Sequence, residues 1–209
     1  MAKTKKRKSL KERMLAKQAK LKSRGGKSKL IFQKADKPLR VRVLPLLDPE
    51  DEFLVEIEQF YLGSEIKGVI SPKSVGKPCA LDEAYHEFKD GDDNDKEIAK
   101  QLTTKMKGIV RVLVYSDFKK GREIDEEQSG KFVQLSKGQC EQALDLFLDD
   151  DDWGDPSDAK EGYDWKLTRT GSGMTDTEYA LTACPKRPLA KAWAKKKTDF
   201  EKDLEGIVP

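Results

Sequence analysis

Histidine and cysteine are scarce in this 209-residue chain, which has one histidine, His86, and three cysteines, Cys79, Cys140 and Cys184. A catalytic triad, a histidine-rich zinc site or an H-E-x-x-H helix would have to run through that single histidine. The cysteines lie far apart and form no C-x-x-C, which argues against a disulfide framework and a four-thiolate zinc site and suits a reducing cytoplasm. Apolar residues are few as well, at 36% with aromatics at 8%. No run approaches the ~18 apolar residues of a membrane span, and no apolar stretch follows the basic start as it would in a signal peptide. No membrane is expected among the partners.

Charge is abundant instead. Charged residues make up 38% of the chain, against ~25% in an ordinary globular domain. The net charge of +3 hides a division. Residues 1–29 carry 13 Lys or Arg and a single acid, Glu12, while the rest of the chain carries 28 basic and 37 acidic groups. A +12 arm is joined to a −9 body, and such an arm calls for a polyanion or an acidic protein surface. Within it, Ser9-Leu10-Lys11-Glu12 fits the S-x-x-E capping box, so residues 9–22 are read as disordered alone and helical on a partner. Gly26-Lys27-Ser28 ends like a phosphate-binding loop, but Leu21 stands where that motif needs glycine.

The body begins near Leu30. Leu39-Arg40-Val41-Arg42-Val43-Leu44 alternates like a half-buried strand that Pro45 ends. Residues 53–62 read as a second strand, 80–89 and 95–107 as short helices, and Ile109-Val110-Arg111-Val112-Leu113-Val114-Tyr115 as the strongest strand of the chain. Residues 131–135 form a shorter strand. Ser136 and Gln139 cap a helix running to about Leu148. After an acidic loop that opens with four aspartates at 149–152, residues 163–170 and 177–184 pair as a hairpin. The tail from Pro188 has helix-forming composition. The expected fold is mainly β, a small barrel or sandwich decorated by helices, with a basic N-terminal arm (1–29), a central domain (30–188) and a C-terminal helical tail (189–209).

Enzyme signatures are nearly absent, and no catalytic residue is assigned. His86 and Asp82 are spaced for a surface ion pair on a helix; with Cys79 they make a partial metal site that lacks a fourth ligand. The aspartates at 149–152 lack the glycine and terminal glutamate of a calcium loop, and they cluster in one loop rather than converging as nuclease carboxylates do. Binding signatures are richer. Arg40 and Arg42 stand opposite a valine pair, and Arg111 and Tyr115 share the face that Val110, Val112 and Val114 leave. Phe132 stands opposite Val133 and Leu135. Cations and rings together on a strand's polar face suit single-stranded nucleic acid, whose bases stack on rings and whose phosphates meet guanidinium groups. Tyr115 and Phe132 either stack bases or pack under the flanking helices, and Trp165 reads as core. Phe118 with Lys119, Lys120 and Arg122 forms either a clamp beside such a strand or an ordinary charged turn.

Four features, in order, resemble the T4-type phage single-stranded DNA-binding (helix-destabilising) proteins. Lys6-Arg7-Lys8-Ser9 is similar to that family's basic N-terminal motif. Leu39 to Pro45 looks like its first barrel strand. Pro78-Cys79, the helical stretch after it and Arg111 to Tyr115 resemble its central insertion and following strand. Gly162-Tyr163-Asp164-Trp165-Lys166-Leu167-Thr168-Arg169-Thr170-Gly171-Ser172-Gly173, leading to Thr177-Glu178-Tyr179, resembles its closing hairpin. The resemblance implies an OB-fold barrel with inserted helices that binds single-stranded DNA cooperatively and without sequence preference. It implies roles in phage replication, recombination and repair in the host cytoplasm. It makes Lys6, Arg7, Lys8 and Ser9 the cooperativity element through which copies self-associate along DNA. Arg40, Arg42, Arg111 and Tyr115 then line the groove, with Arg169 at the hairpin's end, and the C-terminal tail contacts replication proteins. Where zinc-bearing relatives have Cys-x-x-Cys, this chain reads Cys79-Ala80-Leu81-Asp82, so no cofactor is expected. The competing readings are an RNA-binding OB-fold protein and a protein-interaction adaptor with a basic docking arm.

Overall fold

A computed structural model describes residues 30–199, apart from 36, 49–50, 63–65 and 172–175. The basic arm, with Lys6, Arg7, Lys8 and Ser9, lies outside the described residues, as does residue 200 onward. The fold is mainly β: one open, mixed sheet of eight strands with a few helices. The strands are β1 (Leu30–Ile31), β2 (Leu39–Val43), β3 (Val55–Leu62), β4 (Ile66–Ile70), β5 (Thr104–Tyr115), β6 (Lys131–Leu135), β7 (Asp164–Thr170) and β8 (Glu178–Ala183). The helices are α1 (Ala80–Phe88), α2 (Asp93–Gln101), α3 (Lys137–Leu148) and the short α4 (Lys191–Ala194).

β5 organises the sheet. Gly108 to Val112 pair with β6, so β3 (against Thr104 to Ile109) and β2 (against Val112 to Tyr115) must share the other edge. β7 pairs with β2 and β8 with β7; β1 adds to β6 in parallel. Directly paired residues point to one face. The register therefore gathers Val41, Val43, Val110, Val112, Val114, Val133, Trp165 and Leu167 into one core. Gly108 is needed where α3 crosses β5, because a Cβ there would lie 2.5 Å from Cys140 Sγ and 2.6 Å from Leu54 Cδ1. Cys140 itself is buried, and burial pushes its thiol up to about 11.

The capped helix at Ser136 forms as its sequence requires, with the reciprocal Ser136–Gln139 capping box in place. The expected helix over 95–107 is shorter and shifted. Asp92 caps it with Asp95, it ends at Gln101, and the chain then enters β5 at Thr104. Pairing of Thr104 to Lys107 with β3 overrides their helix-compatible composition. Among its described residues the tail forms the four-residue α4, and this part folds back on the body. Leu189 and Trp193 pack on Leu44 and Leu113, and Thr198 exchanges backbone hydrogen bonds with Pro45 and Leu47.

Two of the sheet's edge strands, β1 and β8, are joined by side chains rather than by a ladder. Gln33, two residues past β1, and Gln139, at the start of α3, donate amide hydrogens to each other's carbonyl oxygens at 2.8 and 2.9 Å. Gln139 Nε2 also donates to Ala180 O of β8 at 3.0 Å, and Gln142 Oε1 accepts from Leu181 N at 2.7 Å. Gln33 Nε2 also donates to Gln134 O of β6. This glutamine seam satisfies edge groups that would otherwise be open to another chain. Replacing Gln139 by Ala leaves the Gln33 amide and the Ala180 carbonyl without these partners. The expected loss is about 1–3 kcal/mol of unfolding free energy, read from urea denaturation; an unchanged midpoint would mean that the seam contributes nothing.

Candidate nucleic-acid interface

Alternation along β2 sends Val41 and Val43 into the core and Arg40 and Arg42 to the opposite face. On that face the register sets Arg40 beside Tyr115 and Lys166, and Arg42 beside Leu113 and Asp164. Asp164, fully buried, is the anchor. Arg40 Nε donates to Asp164 Oδ2 at 2.9 Å, and Arg40 Nη2 lies 2.8 Å from the same oxygen. Arg187 Nη2, from the segment after β8, makes an ion-pair contact with it at 2.5 Å. Arg42 Nη1 is 3.9 Å from Oδ1. One carboxylate thus faces three guanidinium groups, an excess of two positive charges.

Arg42 is 1% exposed and spends its donors on the backbone, giving Nη1 to Arg187 O at 3.0 Å and Nη2 to Asp158 O at 2.6 Å. Burial pulls its guanidinium below the ordinary value, with Asp164 opposing. Burial also lowers Arg187, but Asp164 and Tyr115 outweigh it and hold that group above its ordinary value. The Tyr115 hydroxyl is raised, first by burial and then by the Asp164 charge. Two glycines make room for this packing. A Cβ on Gly162 would lie 2.6 Å from Arg42 Nη2, and one on Gly121, whose φ is +60°, would collide with the Arg40 guanidinium.

Gly121 belongs to the turn that carries Phe118, Lys119, Lys120 and Arg122. Asp117 Oδ1 accepts from the amides of Lys119 and Lys120 at 3.0 and 3.1 Å, and Arg40 Nη1 donates to Lys119 O at 2.8 Å. The turn is therefore fastened to the arginine cluster. Lys119, Lys120 and Arg122 are exposed at its tip. Two half-buried rings sit under cations along this surface. Arg187 Cζ is 4.6 Å and Arg40 Cζ 6.0 Å from the Tyr115 ring centroid, and Lys166 Nζ is 5.5 Å from that of Phe118. Contacts of this kind hold a cation over a π-face.

Other candidates lie apart. Arg111 shares a strand face with Tyr115, but Leu113 stands between them under Leu189 and Trp193, and Arg111 Nε donates to Gly130 O. Phe132 is 3% exposed and packs in the core. Arg169 is at the glutamine seam, with its Nη1 donating to Gln33 O and its guanidinium 5.7 Å from the Tyr179 ring. Asp164, Lys166 and Arg187 were not expected as site residues. The polar alternation of β7 signals the first two; Arg187 sits in irregular chain with no local pattern to mark it. Cys79, Asp82 and His86 all lie at or on α1. Cys79 is buried, while Asp82 is engaged by Lys73 and lies 3.6 Å from His86 Nε2. No group of three such side chains converges among the described residues. Among them, too, no helix is long and apolar enough to cross a membrane.

Replacing Asp164 by Asn keeps the shape but leaves three guanidinium groups facing one another around a buried neutral amide. Removing one partner of a buried charge set costs about 3–5 kcal/mol. Chemical denaturation of D164N is expected to show a loss of that size, and a midpoint within error of the parent would mean that the cluster is solvated.

A scan of protein-family models finds no match to the chain, and a search of curated proteins finds none either.

Proposed function

We propose that this chain is a non-catalytic protein that binds single-stranded DNA without sequence preference and cooperatively, serving phage replication, recombination and repair in the host cytoplasm. In this reading the open sheet is an OB-type barrel. The long strand β5, which serves two neighbours along one edge, and the glutamine bridges between β1 and β8 support that reading of the sheet. The observation that carries the function is the surface around Asp164, where two rings sit beneath cations and positive charge exceeds negative by two.

Bases of an unpaired strand stack on Tyr115 and Phe118, while Lys166, Lys119, Lys120 and Arg122 replace the counterions of the phosphates. Arg40, Arg42 and Arg187 act differently: held by Asp164, they position the ring and the turn and supply a fixed positive field. Because the ligand is the unpaired strand, duplex melts under the protein by mass action. The +12 arm, with Lys6, Arg7, Lys8 and Ser9, links neighbouring copies, and the C-terminal tail, whose four acids all fall between Asp199 and Glu205, contacts replication proteins.

Titration of the full-length protein with oligo(dT) at several salt concentrations tests this reading. Tyrosine and tryptophan fluorescence is expected to quench. Log K is expected to fall against log salt with a slope of about −0.7 for each phosphate contacted. Replacing Phe118 by Ala is expected to weaken binding by about 1–3 kcal/mol, the value of one stacked base. Deleting residues 1–29 is expected to lower cooperativity on a long lattice far more than single-site affinity. Absent or salt-independent dT binding overturns the proposal, and tighter binding to RNA of equal sequence replaces it with an RNA-binding function.

A further inference from the structure

The glutamine seam carries a second pair of rings that the Asp164 surface does not use. Tyr61, at the end of β3, is 39% exposed, and its hydroxyl donates to Gln59 Oε1 at 2.8 Å. Gln134 Nε2 donates to the same oxygen at 2.7 Å, Gln33 Nε2 donates to Gln134 O, and Arg169 Nη1 donates to Gln33 O. This chain of hydrogen bonds leads from Tyr61 to Arg169, whose guanidinium lies 5.7 Å from the Tyr179 ring. Burial first, and then Tyr179, holds the Tyr61 hydroxyl above its ordinary value.

A cation accompanies each ring. Lys105 Nζ is 5.5 Å from the Tyr61 ring centroid. Lys107 is on the same face of β5, and burial, followed by the like charge of Lys105, pulls its ammonium below the ordinary value. Neither lysine has an acidic partner among the described residues, and Arg169 Nε is buried there without a hydrogen-bond partner. Lys105 is exposed and Lys107 half-buried, and an anionic ligand between them would relieve their like charge. The Gln59 and Gln134 amides are spent on each other and on Gly68 O, so they leave little to read a base edge.

We propose that Tyr61, Tyr179, Lys105, Lys107 and Arg169 form a second nucleotide subsite, in which a base of the single strand stacks on the tyrosines and its phosphates meet the three cations. This inference rests on the single-stranded DNA reading and extends it from the Asp164 surface to the glutamine seam. Amides turned inward make the subsite tolerant of sequence, as the function requires.

The test uses the full-length protein and an oligo(dT) carrying photoreactive halogenated deoxyuridine. Irradiation is expected to give adducts on peptides containing Tyr61 and Tyr179 as well as on those of the Asp164 surface. A Lys105→Ala, Lys107→Ala double variant changes only partly exposed side chains. Its salt slope is expected to be shallower by about 1.4, two contacts at ~0.7 each. Tyr61→Ala is expected to weaken binding about tenfold, whereas Tyr61→Phe, which keeps the ring, should bind as the parent does. If dT binds and crosslinks at Tyr115 or Phe118, yet leaves Tyr61 and Tyr179 unmodified and the double variant's slope unchanged, the subsite is overturned and the primary reading stands. If dT does not bind at all, both fall.

Discussion

The buried carboxylate of Asp164 is the interaction around which this surface is arranged. It draws together β2 through Arg40 and Arg42, its own strand β7, and the segment after β8 through Arg187. Through Arg40 it also fastens the turn that carries Phe118 and the exposed cations. Such a cluster is not a source of net stability, since desolvating four charges offsets most of their attraction. Its value is in specification. A one-residue slip of β2 would turn Arg40 and Arg42 into the core and bring Val41 and Val43 out, leaving the buried Asp164 to Arg187 alone.

A second constraint is the meeting of two of the sheet's edges, β1 and β8. Strands β1 and β8 form no ladder with each other, and the two-residue β1 is too short to offer one. Glutamine side chains span the gap instead. An amide donates and accepts at once, so Gln33 and Gln139 satisfy each other and still reach backbone on either side. The consequence is a polar seam in an otherwise apolar shell, and polar seams are where rings with hydroxyl handles are at home. Tyr61 is one such ring, tied to Gln59 through its hydroxyl.

Much of this was legible in the sequence, and what was not has physical causes. The alternation of β2 and of residues 109–115 announced which side chains face the core, because period two admits only one choice per strand. The Ser136 capping box announced the start of α3. Residues 102–107 misled because lysine, methionine and threonine suit either a helix or a strand, and only the pairing partner decides. Strands β1 and β4 carry too little pattern of their own to be read. Alternation set Arg111 and Tyr115 opposite the valines and Phe132 opposite Val133 and Leu135, and left open whether the two rings stack bases or pack under the helices. Alternation cannot tell that the tail folds back, so that Leu189 and Trp193 cover Leu113 and separate Arg111 from the ring. Arg187 was beyond reach for the same reason: it arrives through tertiary packing.

The body's formal charge of −9 stands against binding a polyanion only if charge acts as a total. At physiological ionic strength an exposed charge is screened beyond about 8 Å, so the field a phosphate meets is that of its immediate neighbours. Among the described residues, acids gather in the aspartate loop at 149–152 and at Glu56 and Glu58, on the face of β3 opposite in register to Lys105 and Lys107. Of the acids beside the rings, Asp117 is bound to the amides of Lys119 and Lys120, and Asp164 is fully buried and outnumbered three to one. Its carboxylate organises the guanidinium groups without presenting a negative surface. The distribution of charge, and not its sum, sets which polyanion this surface can hold, and an acidic periphery then disfavours contacts that do not enter the ring-lined face.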